Sequence, residues 1–210
     1  MAYIIRGDLE YKLGKTEIEY VEGDREALIA FFDQTRAYPG TIIRASWVSG
    51  TWFPSEKIPR RLRLTRGRRM YDWLNLQGTG TLVSSRLKDA VEELDPGRHQ
   101  FFPVTVEDKN GAAVAGEFFI FNVVGRIEAI IEERSNLRAS GRGQVENWGY
   151  ERCVGPWQCA LDAAVIGNRA CWVDQRYTQR WFISDRLAAL LQERQLNGYE
   201  LSEHSEEIAL

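Results

Sequence analysis

LVSSRLKDAVEEL at residues 82–94 and FISDRLAALLQER at residues 182–194 encode nearly the same phrase twice, one hundred residues apart. In the first copy, Leu87, Ala90, Val91 and Leu94 follow the i, i+3, i+4, i+7 spacing of an amphipathic helix. The identical positions of the two copies are Ser84/Ser184, Arg86/Arg186, Leu87/Leu187 and Glu93/Glu193. Each copy therefore predicts an apolar strand end that runs into a helix capped by serine.

The first seventy residues predict a small lobe of their own. YIIRGDLEYKL at 3–13 and TEIEYVEG at 16–23 have the composition of a β-hairpin. Apolar residues then recur at helical spacing after Asp24, up to Thr35, and 41–56 reads as a short strand followed by a long loop. We expect residues 1–70 to form a hairpin, a helix and a basic loop.

Residues 71–210 predict a larger lobe. FFPVTVED at 101–108 and GEFFIFNVVGRIEAIIEE at 116–133 are typical of central strands, and residues 170–184 are typical of a hairpin. We expect 135–150 to be a loop or lobe boundary, Asn197 and Gly198 to end the second helix, and 202–210 to be an acidic tail. The predicted fold class is α+β, with a mixed or antiparallel sheet and a few packed helices.

The composition predicts a soluble cytoplasmic protein. The chain of 210 residues is 44% hydrophobic, and it has neither an N-terminal signal-peptide core nor an apolar run of membrane-spanning length. Cys153, Cys159 and Cys171 match no paired metal-ligand spacing, so we expect buried free thiols.

The charge is unevenly distributed. KIPRRLRLTRGRR at 57–69, here called the basic run, has seven positive charges and no acid, and since the whole chain is at −3, the remainder is at −10. An edge strand and irregular chain are equally compatible with its pattern. The candidate partner-binding residues are Arg60, Arg61, Arg63, Arg66, Arg68 and Arg69, with Trp148 and Trp157 from the glycine-rich connection.

Three explanations of the basic run stay open. It could be solvated or paired with the acids at 89–95, it could meet an acidic protein partner, or it could follow a phosphate backbone with nearby aromatic side chains stacking on bases. A sequence pI of about 5.6 disfavours nucleic acid, whose binding domains are usually basic.

No motif predicts catalysis or a cofactor. Ser84 and Ser184 lack a nucleophile elbow and are expected to cap their helices, while Arg86 and Arg186 are expected to have a carboxylate or carbonyl partner. Glu128 and Glu132 would share one face of a strand, apart from Glu133, with no histidine fixed nearby. We therefore predict no catalytic, metal-binding or cofactor-binding residues.

The chain from about Tyr71 to Leu201 resembles a family of bacterial immunity proteins from polymorphic toxin systems, the eleventh of the immunity series and formerly a domain of unknown function. One departure from the family pattern is Glu128 of IEAI, where aspartate is more usual. The stretches that carry the resemblance, in order, are TLVSSRLKDAVEEL (81–94), FFPVTVEDKNGAAVAGEFFIFNVVGRIEAI (101–130), ERS (133–135), LDAAVIGN (161–168) and RWFISDRLAALLQERQLNGYEL (180–201).

The resemblance implies a protein without catalytic activity that binds and neutralises a cognate toxin. It implies no particular contact residues. The alternative from the residues themselves is a nucleic-acid-binding or regulatory protein that uses the basic run, and a homodimer is left open.

Overall fold

The computed structural model describes residues 1–7, 16–23, 50–67, 69–76, 80–140, 149–152, 157–175 and 177–209. The helix predicted after Asp24 and the strand predicted within 41–49 lie outside these residues.

Two six-stranded sheets and three helices make up the described fold. The first sheet has the strand order β11-β14-β1-β13-β12-β8, the second has β2-β3-β6-β7-β5-β4, and β9 pairs with β10 in a separate ribbon. The strands are Ala2–Gly7 (β1), Glu17–Glu22 (β2), Arg61–Arg66 (β3), Trp73–Leu76 (β4), Gly80–Ser84 (β5), Gln100–Glu107 (β6), Phe118–Asn122 (β7), Arg126–Ile127 (β8), Leu137–Ser140 (β9), Gly149–Arg152 (β10), Ala160–Asp162 (β11), Cys171–Asp174 (β12), Tyr177–Ser184 (β13) and Tyr199–Ile208 (β14). The helices are Ser85–Leu94 (α1), Ala163–Ile166 (α2) and Asp185–Glu193 (α3), with 3-10 turns at Ser55–Lys57 and Glu132–Arg134.

Both sheets are mixed, which confirms the predicted α+β class. The pairs β3–β6, β8–β12 and β11–β14 are parallel, and the other pairs within the two sheets are antiparallel. The strands predicted as central, β6 and β7, lie in the middle of the second sheet.

Strand alternation divides the core into three clusters. In β13, Trp181 and Ile183 face a central cluster, while Phe182 faces an outer cluster. In β7, Phe121 faces the central cluster and Ile120 faces a second outer cluster. The central cluster also contains the buried faces of α1 and α3, so both sheets contribute to one shared core. Each sheet covers its other face with a cluster of its own.

The repeated phrase forms the predicted unit twice. The Ser84 Oγ accepts a hydrogen bond from the Leu87 amide, and the Ser184 Oγ accepts one from the Leu187 amide, each at 3.3 Å. The prediction that both serines cap helices is confirmed. The two helices also contact each other, and Arg194 at the end of α3 pairs with Glu93 of α1.

Asp95, directly after α1, connects the two sheets. Its Oδ2 accepts hydrogen bonds from the amides of Ala170 (2.7 Å) and Cys171 (3.0 Å), where the first sheet's β12 begins. The His99 Nε2 lies 3.3 Å from the same oxygen, and because the His99 Nδ1 accepts from the Val124 amide, the ring proton lies on Nε2. Burial raises the Asp95 pKa, but the His99 and backbone donors outweigh it and hold that pKa below its ordinary value.

Within the described residues, the two strands of the predicted N-terminal hairpin do not pair with each other, and residues 8–13 of its first strand lie outside those residues. Both of its strands form, but β1 lies between β13 and β14, and β2 pairs with β3. The physical reason is that β1 is buried on both faces in the first sheet, as a short hairpin could not achieve. Strands from before residue 70 thus take part in both sheets, and the division into 1–70 and 71–210 stays a prediction.

Four local predictions also need correction. The basic run contains β3, which is an inner strand, and the predicted tail is mostly β14, which pairs with β1 and β11. Part of the predicted loop at 135–150 forms β9 and the start of β10. The second helix ends at Glu193, and Gln195 takes the left-handed conformation, with φ of 53°.

Asn197 and Gly198 contact strand β4 and do not cap the second helix. The Asn197 carbonyl accepts from the Trp73 amide at 3.1 Å, and the Asn197 amide donates to Asp72 Oδ2 at 3.0 Å. A Cβ on Gly198 would lie 2.2 Å from the Trp73 carbonyl oxygen, so only glycine fits there. Among the helices that the structure describes, none has the length and apolar character that crossing a membrane requires.

The two capping serines provide a matched pair for mutation. The Ser84 Oγ also donates to the buried Asp72 Oδ1 at 2.6 Å, whereas Ser184 acts as a cap. We expect Ser184→Ala to lower the free energy of unfolding by about 1 kcal/mol and Ser84→Ala by about 2–3 kcal/mol, because the latter leaves a buried carboxylate oxygen without its donor. Urea unfolding measures both, and equal losses would contradict the role of Asp72.

Acid should weaken the connection at Asp95. A carboxyl whose pKa is lowered by folding contributes stability at pH above its unfolded value, about 3.9, and loses that contribution as the pH falls through the folded value. Asp95→Asn should therefore cost about 2–3 kcal/mol at pH 7 and much less near pH 3. Urea unfolding at both pH values checks this, and a loss independent of pH would refute it.

Asp108→Asn is the control for this variant. Asp108 Oδ1 also accepts from two backbone amides, those of Asn110 and Ala112, and its pKa is lowered by them, but it lies in a partly exposed turn. Its replacement should have the smaller effect on unfolding at both pH values.

Candidate partner-binding surface

The basic run is held in place by a charge-complementary partner strand. In the β2–β3 register, Glu17 faces Arg66, Glu19 faces Arg63, and Glu22 faces Arg61. The alternate positions are apolar: Ile18 faces Leu64, and Tyr20 faces Leu62. Opposite charges at facing positions stabilise antiparallel pairing, so the arginines of β3 first of all specify the register of this sheet.

Glu107 at the end of β6 binds two arginines of β3. Its Oε1 accepts from Arg61, and its Oε2 accepts from the Nη2 of Arg63 at 2.8 Å. The donors on Arg61 and then Arg63 hold the pKa of the Glu107 carboxyl below its ordinary value, while Glu107 raises the pKa of Arg61. Arg61 also lies 4.0 Å from Glu22. This buried carboxylate therefore compensates part of the basic run.

The remaining cations of the run differ in their surroundings. Arg66 pairs with Glu17 at 3.6 Å, and Arg68 lies outside the described residues. Lys57, Arg60 and Arg69 are exposed, and within the described ranges none of them has a carboxylate partner. These three are the cations of the run that a partner can reach uncompensated.

One alternative left open, the pairing of the run with the acids at 89–95, is not seen among the described residues. Glu93 pairs with Arg194, and Asp95 binds His99 and Arg98. The physical reason is the parallel β3–β6 pairing, which brings Glu107 beside β3.

A groove of about 640 Å³ lies beside Arg60. The groove is lined by the segment that leads into β3, including Pro59 and Arg60, and by β6. Phe102 and Phe119 add aromatic surface. The groove therefore offers apolar area next to an uncompensated cation.

The predicted tryptophan contacts lie elsewhere. Trp157 is partly buried, donates from Nε1 to the Ser205 Oγ at 3.2 Å and packs against Tyr177. It lines a second, more polar depression of about 600 Å³ that also includes Glu133 and Glu206. Trp148 lies outside the described residues. The described arginines of the run and Trp157 are thus not brought into one depression.

Among the tryptophans that the structure describes, Trp52 is the exposed one, with 62% of its surface accessible, and it was not among the predicted contact residues. Its neighbour Phe53 is 1% exposed. The signal in the sequence was the TWFP stretch, because adjacent residues of an extended segment point in opposite directions, so that Trp52 faces away from the buried Phe53.

Arg86 and Arg186 have structural partners. Arg86 lies 3.5 Å from Asp72 and also donates to the Arg194 carbonyl, and Arg186 donates to the Asn168 carbonyl at 2.7 Å. The predicted carboxylate and carbonyl partners of the two arginines are therefore confirmed.

The strand predicted through 128–133 is wrong. It ends at Ile127, because the amides of Ala129 and Ile130 turn to bind the buried Asp174, at 2.9 and 3.0 Å. Glu132 and Glu133 begin a 3-10 turn, so the three glutamates do not sit on one strand. Cys159 and Cys171 are buried and form no disulfide, as predicted, and Cys153 lies outside the described residues.

Glu107→Gln should expose the positive charge of the run. We expect it to elute from heparin at a higher salt concentration than Glu117→Gln, because both remove one negative charge but only Glu107 binds Arg61 and Arg63. Glu117 is exposed beside the groove and serves as the matched control. Salt-gradient elution measures the difference, and identical elution would mean that the ion pairs do not compensate the run.

A comparison with known protein families identifies the chain. A family model described as Immunity protein family (Imm11) matches residues 29–206, well over half of the 210-residue chain. The match begins before Tyr71 and so includes Trp52 and the basic run. No curated protein matches the chain. The chain belongs to the Imm11 family of immunity proteins.

Proposed function

We propose that this chain binds a cognate bacterial toxin in the cytoplasm of the producing cell and neutralises it by occupying its surface, without catalysis. The observation that carries the proposal is the match to the immunity family over residues 29–206. Inhibition by occupation requires complementary charge and a desolvated anchor, and it requires no reactive group.

The uncompensated cations support an acidic partner surface. Lys57, Arg60 and Arg69 are exposed, and Arg60 also lines the 640 Å³ groove. We propose the predicted arginines, Arg60, Arg61, Arg63, Arg66, Arg68 and Arg69, as the basic side of the interface. Within it, Arg60 and Arg69 act as direct contacts, since Arg61, Arg63 and Arg66 already have carboxylate partners.

Trp157 and Trp148 belong to the proposal as a separate contact. Trp157 lines the polar depression, beside Glu133 and Glu206. A partner that reached it would meet carboxylates there, unlike the basic side around Arg60.

The ion pairs weigh against the nucleic-acid alternative. A phosphate backbone is bound by several cations acting together. Arg61, Arg63 and Arg66 are committed to Glu107 and Glu17, which reduces the charge that phosphates could use. A protein partner, which needs only a few charges around an apolar contact, fits this surface better.

The proposed function predicts that a toxin domain is encoded beside this chain's gene, and that domain is the partner for the test. Co-expression should restore the growth of cells that produce the toxin domain, and the purified proteins should form a one-to-one complex by calorimetry and light scattering. Growth arrest that persists despite soluble expression, together with no complex, would refute the proposal.

A charge-matched pair of variants tests the basic side. Arg60→Glu should slow association about fivefold at low salt and less at high salt, because it reverses a cation of the interface. Lys109→Glu makes the same change in net charge in the turn after β6 and should leave the rate unchanged. Stopped-flow mixing at two salt concentrations measures both, and equal rates for the two variants would exclude Arg60 from the interface.

A further inference from the structure

Trp52 combines an exposed side chain with a firmly held backbone. Its side chain is 62% exposed, while Phe53 beside it is buried in the outer cluster of the second sheet. Among the described residues, the other exposed large apolar side chains are Met1 and Val165.

Two buried amide side chains hold the residues on both sides of Trp52. The Phe53 amide donates to the Gln100 Oε1, and the Gln100 Nε2 donates to the Phe53 carbonyl, both at 2.8 Å. The Asn122 Nδ2 donates to the Thr51 carbonyl and to the Gln100 Oε1, also at 2.8 Å each. Gln100 and Asn122 face each other across the β6–β7 pair, so the central strands of the sheet fix this segment.

Burying the amide side chains of Gln100 and Asn122 costs free energy, so we expect it to serve a purpose. Gln100 and Asn122 are 7% and 0% exposed, and burying amide groups is unfavourable without full hydrogen bonding. An apolar pair would serve packing in the sheet at least as well. The amides instead fix the backbone at 51–53, which leaves the exposed indole with little conformational entropy to lose on binding.

We propose that Trp52 is the aromatic anchor of the partner interface, inserted into an apolar pocket of the toxin that is bordered by carboxylates. This inference rests on the proposed function and names the contact that supplies most of the affinity for the toxin. Tryptophan is among the residues most often found at interface hot spots, and a preorganised one is the most effective.

Charge around Trp52 favours an acidic partner over a second copy of the chain. Within residues 50–60, Lys57 and Arg60 follow Trp52, and Glu56 is the single acid. A two-fold contact centred on Trp52 would bring these cations toward their own copies. A partner with carboxylates around its pocket would meet opposite charge.

The test measures binding of the toxin domain encoded beside this chain's gene to the full chain and to its variants. Trp52→Ala should weaken the affinity about 100-fold and leave the urea midpoint unchanged, because the side chain is exposed. Val165→Ala, which trims another exposed apolar side chain, should bind like the wild type. Hydrogen exchange should show protection at residues 50–54 in the complex.

Gln100 acts as a positioning residue for Trp52, so its effect on binding is compared with and without the Trp52 side chain. Gln100→Leu should weaken binding about tenfold in the wild type and should have no effect on binding in the Trp52→Ala background. A purely structural role would give the same loss in both backgrounds.

The outcomes separate this inference from the proposed function. A wild type that binds and protects, with Trp52→Ala equally tight, overturns the anchor alone. A wild-type dimer that dissociates on Trp52→Ala while toxin binding is intact also overturns it, in favour of a second copy. A wild type that neither binds nor protects overturns the proposed function and the anchor together.

Discussion

The bonds accepted by the buried Asp95 carboxylate determine how the two sheets are joined. The residue follows the first helix of the repeated phrase, and its partners are the amides of Ala170 and Cys171, which lead into the opposite sheet. A charge that is 1% exposed needs compensating donors, and here two backbone amides and His99 supply them to Oδ2, while Oδ1 lies 3.4 Å from the Arg98 Nε. The shared core between the sheets is thus fixed at one end by directional hydrogen bonds. Elsewhere it is held by apolar contacts, which have no preferred direction.

The central cluster needs this connection because its other contacts specify position only weakly. Leu87 and Val91 of the first helix and Leu187 and Leu191 of the second pack in the same apolar space, and apolar contacts permit sliding. Directional bonds at the helix ends prevent it. Asp95 is one such group, and Asp72 is another, with Ser84, Arg86 and Asn197 bound to it. Repetition of the phrase follows from this construction, since each sheet contributes one strand that continues into a helix of the shared core.

Sequence predicted what depends on local chemistry, and missed what depends on distant partners. The serine caps, the strands β6 and β7 and the hairpin of β12 and β13 follow from propensity and periodicity, which are written in consecutive residues. The position of Ala2–Gly7 between two C-terminal strands could not be predicted, because pairing nearly two hundred residues apart leaves no local pattern. The same holds for Asn197, because its bonds to Asp72 and Trp73 join residues that are distant in the sequence.

The candidate surface shows why a charge pattern misleads when its partner strand is overlooked. The run RLRLTR seemed available because it contains no acid, yet EIEYVE at 17–22 is complementary to it, and the two could have been paired from the sequence. Because Glu107 and the acids of β2 compensate Arg61, Arg63 and Arg66, partner specificity must come from residues outside these ion pairs. Of those residues, Trp52, Lys57 and Arg60 precede β3 on a segment that buried amides hold at Thr51 and Phe53, and Arg69 follows β3. A sheet whose charges are largely paired with one another can therefore present a few unpaired charges beside an aromatic side chain. Partner choice then depends on the geometry of these groups and not on the total charge.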